Sequence, residues 1–181
     1  MKHLCFSKYS GCGNDFILID GRAGPITLSP SEIARLCARK HGIGADGIII
    51  VESSLKADFK MRIFNADGSE AEMCGNGIRC QADFVRRLGF SGSECSIESM
   101  KRYHKATWSA GKVTVTMGKP TEIAWDVEIT IEGAPIRLTY LDTGVPHAVL
   151  VTDDIHSFDI SGIGRQIRHH PTFAPKGTNV N

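Results

Sequence analysis

The apolar and polar residues of this chain follow two different periods, and each period predicts a different kind of element. Residues 58–64 place an apolar side chain at every second position, which is typical of a strand with one buried face. Residues 48–51 are apolar throughout and predict a fully buried strand. After Cys74 the apolar residues recur at helical spacing up to Leu88, and Gly89 follows them. The chain therefore combines strands with at least one amphipathic helix.

An earlier helix has clear start signals. Ser29 is a candidate N-cap, Pro30 occupies the first helical position, and Glu32 completes a capping box with Ser29. The apolar face of this helix extends to His41, and the next residue, Gly42, is predicted to end it.

Further strand-like runs come in groups rather than in alternation with helices. Two short strands are predicted around a turn at 10–13, the second of them at 16–20. Further strands are predicted at 95–97, 104–108, 112–117, 127–131, 136–141 and 148–151. A helix is predicted near 161–169. This irregular order favours an α+β fold over a doubly wound sheet. Residues 118–121 are the best linker candidate. They predict a domain over residues 1–118, which carries Cys74, and another over residues 119–181.

Composition and charge narrow the function classes. The chain has 181 residues, of which 21 are Lys or Arg and 20 are Asp or Glu, so its net charge is +1 and no basic stripe indicates nucleic acid. Residues 1–20 mix polar with apolar side chains, unlike a signal peptide, and no apolar run reaches transmembrane length. Six cysteines without an export signal are expected to be thiols. We expect a cytoplasmic protein that binds neither nucleic acid nor a membrane.

The cysteine with the most reactive setting is Cys74. It lies where a turn punctuated by Gly75 and Gly77 becomes a helix, so unpaired backbone N–H groups and the positive end of the helix dipole converge on it. Such a place favours a thiolate and offers donors to a carboxylate. The alternative is that Cys74 is a packing residue, since free cysteines are commonly buried. That role is expected for Cys37 and Cys80 on helices and for Cys5 and Cys95 in strands.

The other motifs are weaker indications of a functional site than Cys74. Residues 42–47 match G-x-G-x-x-G, but a helix precedes them and a strand follows, which is the reverse of a dinucleotide site. Cys74 and Cys80 are too far apart for a C-x-x-C metal pair, so no metal site is predicted. His147 lies just before an apolar strand. Such a histidine is usually structural, yet it is also able to polarise a thiol that folding brings close.

Taken together, the motifs resemble those of the diaminopimelate epimerases. The matching segments are Gly-Asn-Asp-Phe at 13–16, Gly-Ile-Gly-Ala-Asp at 42–46, Phe-Asn-Ala-Asp-Gly-Ser-Glu at 64–70, Met-Cys-Gly-Asn-Gly at 73–77, Pro-His-Ala at 146–148 and Gly-Thr-Asn-Val-Asn at 177–181. They span nearly the whole chain in the family's order. The resemblance implies two related α/β halves around a cleft, the second of them incomplete here, and a possible homodimer.

The resemblance also implies a mechanism that needs no cofactor. A thiolate on one face of the α-carbon of diaminopimelate removes a proton and a thiol on the other face returns one, which interconverts the LL and meso forms for lysine and peptidoglycan precursors. Cys74 matches one of these bases. Implied roles in substrate binding or catalysis fall on Asn14, Asn65, Gly75, Asn76 and Asn179, and on His147 beside the reactive thiol.

Two departures from the family pattern leave alternatives open. Val145 replaces the asparagine that usually precedes the Pro-His pair, and this puts the substrate in question. The family's second catalytic cysteine comes well after the motif at 177–181, and none of the cysteines in this sequence matches it. We therefore expect a fragment or a truncated relative. The alternatives are an isomerase of the proline-racemase or phenazine-pathway type, and a binding module without catalytic activity.

Overall fold

The computed structural model describes residues 4–181, which divide into two compact units at the step from Met117 to Gly118. Each unit has a hydrophobic core of its own. Strands and helices are mixed in irregular order, so the predicted α+β fold is confirmed. Within residues 4–181, no helix is both long enough and apolar enough to cross a membrane.

The first unit is an eight-stranded sheet with two helices. Its elements are β1 (Ser7–Gly11), β2 (Asn14–Asp20), α1 (Pro30–Cys37), β3 (Gly47–Glu52), β4 (Phe59–Asn65), β5 (Glu70–Ala71), α2 (Gly75–Arg87), β6 (Glu94–Glu98), β7 (Tyr103–Ser109) and β8 (Lys112–Val115). The strand order is β1-β2-β3-β4-β6-β7-β8, with β5 beside β4. β2 pairs with β3 in parallel, through a connection that contains α1.

Helix α2 is held inside the curve of this sheet. It contacts β1 and β8, which are the two ends of the strand order, as well as β2, β3, β4 and β7. Ile78 and Val85 are fully buried on its inner face. Leu88 was predicted to share that face, but the helix ends at Arg87 and Leu88, its C-cap, is 39% exposed. The helix that follows Cys74 is thus the centre of the first core.

Helix α1 begins as predicted and ends earlier. Ser29 is the N-cap, and both hydrogen bonds of the capping box with Glu32 are present. The predicted end at Gly42 is wrong, because the chain leaves the helix after Cys37 and folds back on it. A Cβ atom at Gly42 would lie only 2.1 Å from the carbonyl oxygen of Arg35, so this tight return requires glycine. His41 is consequently exposed in the turn.

The second unit is a four-stranded sheet with one helix packed on it. Its elements are β9 (Thr121–Ile131), β10 (Ala134–Asp142), β11 (Pro146–Val149), α3 (Ile160–Arg168), a 3₁₀ turn (Pro171–Phe173) and β12 (Asn179–Val180). The strand order is β12-β11-β10-β9. Ala148 of β11 and Ile167 of α3 are fully buried in its core. β11 and β12 are parallel and are joined through α3, as β2 and β3 are joined through α1 in the first unit.

Candidate active site

Cys74 is the residue on which helix α2 begins. It is the N-cap, with φ −146° and ψ 116°, and its Sγ accepts a hydrogen bond from the backbone N–H of Gly77 at 3.5 Å. The carbonyl oxygen of Cys74 accepts the N–H of Ile78 at 2.9 Å, which starts the helical ladder. The sulfur therefore faces the positive end of the helix, where negative charge is stabilised. Its side chain is half-buried, in contact with the first core but not enclosed by it.

Gly75 and Asn76 form the first turn of α2 after the N-cap. In the described part of the chain their backbone N–H groups have no hydrogen-bond acceptor. Two such donors at a helix N-terminus suit a carboxylate group. A Cβ atom at Gly75 would approach only the side chain of Met117, at 3.4 Å. The beginning of α2 is thus able to hold an anion one residue away from the Cys74 thiol.

Gly77 has to be glycine because of its packing against the sheet. A Cβ atom there would lie 2.9 Å from Cδ1 of Ile49 and 3.2 Å from Cδ1 of Ile63. The missing side chain lets the first turn of α2 rest closely on β3 and β4. Gly77 therefore fixes the height of Cys74 over the sheet, and its lack of a side chain serves packing rather than a ligand.

Asn14 and Asn76 come together although they are far apart in the sequence. The Nδ2 of Asn76 donates to the Oδ1 of Asn14 at 2.7 Å. The Nδ2 of Asn14 in turn donates to the Oδ2 of Asp46 at 3.3 Å. The fold thus places both predicted amides at the helix start that carries Cys74.

Asn65 lies at the end of β4 and is held by its own turn. Its Nδ2 donates to the Oγ of Ser69 at 3.0 Å, and its backbone N–H donates to the carbonyl oxygen of Ser69 at 2.8 Å. Asn65 pairs with Gly47 of β3 and is exposed. It is therefore accessible to a ligand, but its hydrogen bonds do not join those of Asn14 and Asn76.

His147 and Asn179 are direct neighbours in the second unit. They face each other in the parallel register of β11 and β12, so both side chains leave the sheet on the same face. Ala148 and Val180, the next pair, turn to the opposite face and into the core. His147 was expected just before a strand, but it lies within β11, where its Nδ1 is 2.7 Å from the Oδ1 of Asn181.

A cluster of charged residues beside Asn14 was missed by the sequence analysis. The guanidinium of Arg39 lies 2.8 Å from both Asp15 and Asp46. Lys8 also pairs with Asp15, and together with Arg39 it holds the pKa of that carboxyl well below its usual range, with the larger effect from Arg39. The available signal was the position of both aspartates inside the segments 13–16 and 42–46. Their contact joins residues 31 apart, which no periodicity predicts.

Arg79 of helix α2 is another residue near Asn76 that the sequence did not single out. Its Nη2 donates to the Oδ1 of Asn76 and lies 3.2 Å from the Sγ of Cys12. The Cys12 thiol is exposed in the turn between β1 and β2. Arg79 therefore joins that turn to the start of α2.

The other cysteines differ from Cys74 in their surroundings. Cys37, Cys80 and Cys95 are buried, as predicted, and burial raises the pKa of Cys80 to about 11 and of Cys95 to about 12. Thiols of this kind carry little thiolate at neutral pH. Cys5 was predicted to lie in a strand, but β1 begins at Ser7 and Cys5 is exposed ahead of it.

Comparison with known proteins gives one consistent family. A family model described as diaminopimelate epimerase matches residues 6–123. A diaminopimelate epimerase from Synechococcus sp. (strain JA-2-3B'a(2-13)) is 39% identical over 98% of this chain and 70% of its own length. Another, from Archaeoglobus fulgidus, is 38% identical over 98% of this chain and 68% of its own length.

Solved structures agree on the fold. A phenazine biosynthesis protein of the PhzF family from Bacillus anthracis has a TM-score of 0.61 at 18% identity, over 83% of this chain and 57% of that one. A hydroxyproline epimerase from Agrobacterium vitis has a TM-score of 0.61 at 15% identity, over 81% of this chain and 51% of that one. At such identities the likeness concerns architecture alone. The chain spans just over half the length of these two proteins.

Proposed function

The chain belongs to the diaminopimelate epimerase family, a family of isomerases, and from this premise we propose that it takes part in interconverting LL- and meso-diaminopimelate. The observation that supports the proposal most strongly is the start of helix α2. There a half-buried thiol and two backbone N–H groups without acceptors lie within three consecutive residues, Cys74, Gly75 and Asn76.

The proposed chemistry follows from that arrangement. The α-carboxylate of the substrate accepts hydrogen bonds from the N–H groups of Gly75 and Asn76. The Cys74 thiolate then takes the α-proton, so that the C–H bond breaks, an S–H bond forms and the electron pair spreads towards the carboxylate. Since the helix end presents fixed positive charge at that group, it stabilises the developing anion without a cofactor.

The remaining site residues receive the roles that the resemblance implies. In the first unit, Asn65 is proposed as an amide for the distal amino-acid end of the substrate, and Asn14 as another substrate-binding asparagine. In the second unit, Asn179 is proposed as an amide for the distal amino-acid end, and His147 as a group that acts with a reactive thiol. Support for the last two is their shared sheet face.

We further propose that residues 1–181 supply one base of a pair. Cys37, Cys80 and Cys95 are buried, and Cys5 and Cys12 match no base of the family pattern. A single base returns a proton only to the face from which it took it, so the second base must be a different thiol. Lysine and peptidoglycan precursor synthesis and a homodimer, which the family resemblance implies, complete the proposal, together with the cytoplasmic location that we expect from the sequence.

Val145 supports a second candidate function. Its apolar side chain stands where the family usually has an amide, which favours a smaller substrate such as that of a proline racemase.

We expect residues 1–181 to exchange the α-proton of diaminopimelate in heavy water and to leave proline unlabelled. Mass spectrometry of the two recovered amino acids measures this. Faster labelling of proline would support the second candidate.

If the chain is a binding module without catalytic activity, the heavy-water exchange assay gives a different result. In that case neither amino acid gains deuterium, and Cys74→Ala leaves the affinity for diaminopimelate unchanged by calorimetry. Labelling of diaminopimelate that requires Cys74 contradicts the binding-module reading.

A further inference from the structure

Four side chains at the start of α2 form one hydrogen-bonded row. The Oδ2 of Asp46 accepts from Asn14, the Oδ1 of Asn14 accepts from Asn76, and the Oδ1 of Asn76 accepts from Arg79. Each amide thus donates towards Asp46 and accepts from the side of Arg79. An anion stands at the accepting end of the row and a cation at the donating end.

This polarity determines which way each amide points. An asparagine side chain presents a donor on one side and an acceptor on the other, and the two orientations differ only in their partners. A carboxylate at one end accepts but cannot donate, and a guanidinium at the other end donates but cannot accept. The charged ends therefore allow a single orientation for Asn14 and for Asn76.

Both ends of the row are themselves anchored. The Oδ1 of Asp46 accepts from Arg39 at 2.8 Å, and its Oδ2 also accepts the backbone N–H of Asp15 at 3.1 Å. At the other end, Arg79 extends from the second turn of α2 and lies 3.2 Å from the Sγ of Cys12. The row crosses from the loop before β3, through β2, to the helix that begins at Cys74.

We propose that Asp46 and Arg79 are positioning residues that fix the orientation of the Asn14 and Asn76 amides beside Cys74. Neither needs to touch the substrate. Their effect on substrate binding rests on the proposed function, whereas their effect on the two amides is a property of the folded chain alone. The free hydrogen-bonding positions of Asn14 and Asn76 are then presented to a ligand in one fixed pattern.

The test compares Arg79→Met with Arg79→Lys and with Arg87→Met as a matched control. Arg87 is on the same helix but pairs with Asp83, away from the row. Arg79→Met keeps the apolar stem and removes the donor, so the Asn76 amide is free to turn. We expect the side-chain amide resonances of Asn14 and Asn76 in a ¹⁵N-labelled chain to shift, and Asp46→Asn to shift the same two from the other end. Arg87→Met leaves them in place.

Exchange kinetics with diaminopimelate give the second readout. Loss of orientation weakens binding of substrate and transition state alike, so KM rises about tenfold while kcat changes little. Arg79→Lys retains a donor and restores part of the loss. Unchanged amide resonances in a folded Arg79→Met chain would overturn the proposal, and so would an unchanged KM. If the wild-type chain labels no substrate, the proposed function fails, but the resonances still decide the positioning role.

Discussion

Replacing Cys74 by serine is expected to lower the rate of α-proton exchange in diaminopimelate by roughly 10³-fold, the scale on which a positioned general base contributes to catalysis. A serine hydroxyl holds its proton far more tightly than a thiol, so at neutral pH it offers almost no base. The fold should survive, because serine is a better N-cap than cysteine and its hydroxyl still accepts from the N–H of Gly77.

The measurement is deuterium uptake by the substrate in heavy water, with circular dichroism to show that α2 is retained. Cys5→Ser is the matched control, since Cys5 is exposed and lies outside the strands. It should exchange at the wild-type rate. A Cys74→Ser chain that labels substrate as fast as the control would remove Cys74 from the chemistry.

Gly47→Ala is expected to destabilise the first unit by about 3 kcal/mol, at the upper end of the usual cost of overpacking. A Cβ atom at Gly47 would lie 2.4 Å from the carbonyl oxygen of Phe64. That oxygen belongs to β4, whose residues 60–65 are paired with the whole of β3, so it is unable to withdraw without breaking the ladder. Because Gly47 pairs with Asn65 and follows Asp46, the strain falls directly beside the site.

Urea unfolding, followed by circular dichroism, measures the change in the free energy of unfolding. Gly24→Ala is the control, because a Cβ atom at Gly24 meets nothing within 4 Å. Its midpoint should stay close to that of the wild type. If the two alanine variants unfold at the same urea concentration, the close approach of β3 and β4 at Gly47 does not constrain the fold.

The sequence was sufficient to predict a helix where the contacts that determine it are between residues close in the chain. The capping box of Ser29 and Glu32 joins residues three apart, and the start of α1 was predicted correctly from it. The same holds for α2, whose buried stripe at helical spacing was visible before the structure. The early end of α1 was missed, because the fold-back of Gly42 onto Arg35 depends on the backbone path and leaves no periodic signal.

Strand β9 shows the limit of apolar periodicity. It begins at Thr121, six residues before the predicted start, and residues 121–126 are all exposed. Residues 121–126 are held in the strand by backbone pairing with β10, which has register shifts around Tyr140. Their side chains do not alternate between buried and exposed, so the sequence gives no strand pattern there. A strand of this kind can be identified only once its pairing with the neighbouring strand is known.

At the site, the reactive residue was predictable and its supports were not. Cys74 stands at a boundary that glycines mark in the sequence. The row that orients its neighbours joins Asn14 to Asp46, 32 residues away, and to Asn76, 62 residues away. Such contacts arise from the parallel pairing of β2 with β3 and from the packing of α2, which are tertiary features. The contacts of Asp46 and Arg79 with these amides could therefore be found only from the folded structure.

The stereochemistry of deuterium uptake by residues 1–181 shows whether Cys74 is one base of a two-base epimerase. LL- and meso-diaminopimelate are incubated separately in heavy water, recovered, and analysed for α-deuterium by mass spectrometry and for configuration by chiral chromatography. Because a single base serves one face of the α-carbon, we expect deuterium in at least one of the two isomers, with its configuration retained. Recovery of both isomers without deuterium, or interconversion of the LL and meso forms as fast as deuterium enters, would show that Cys74 does not act as one base of a pair.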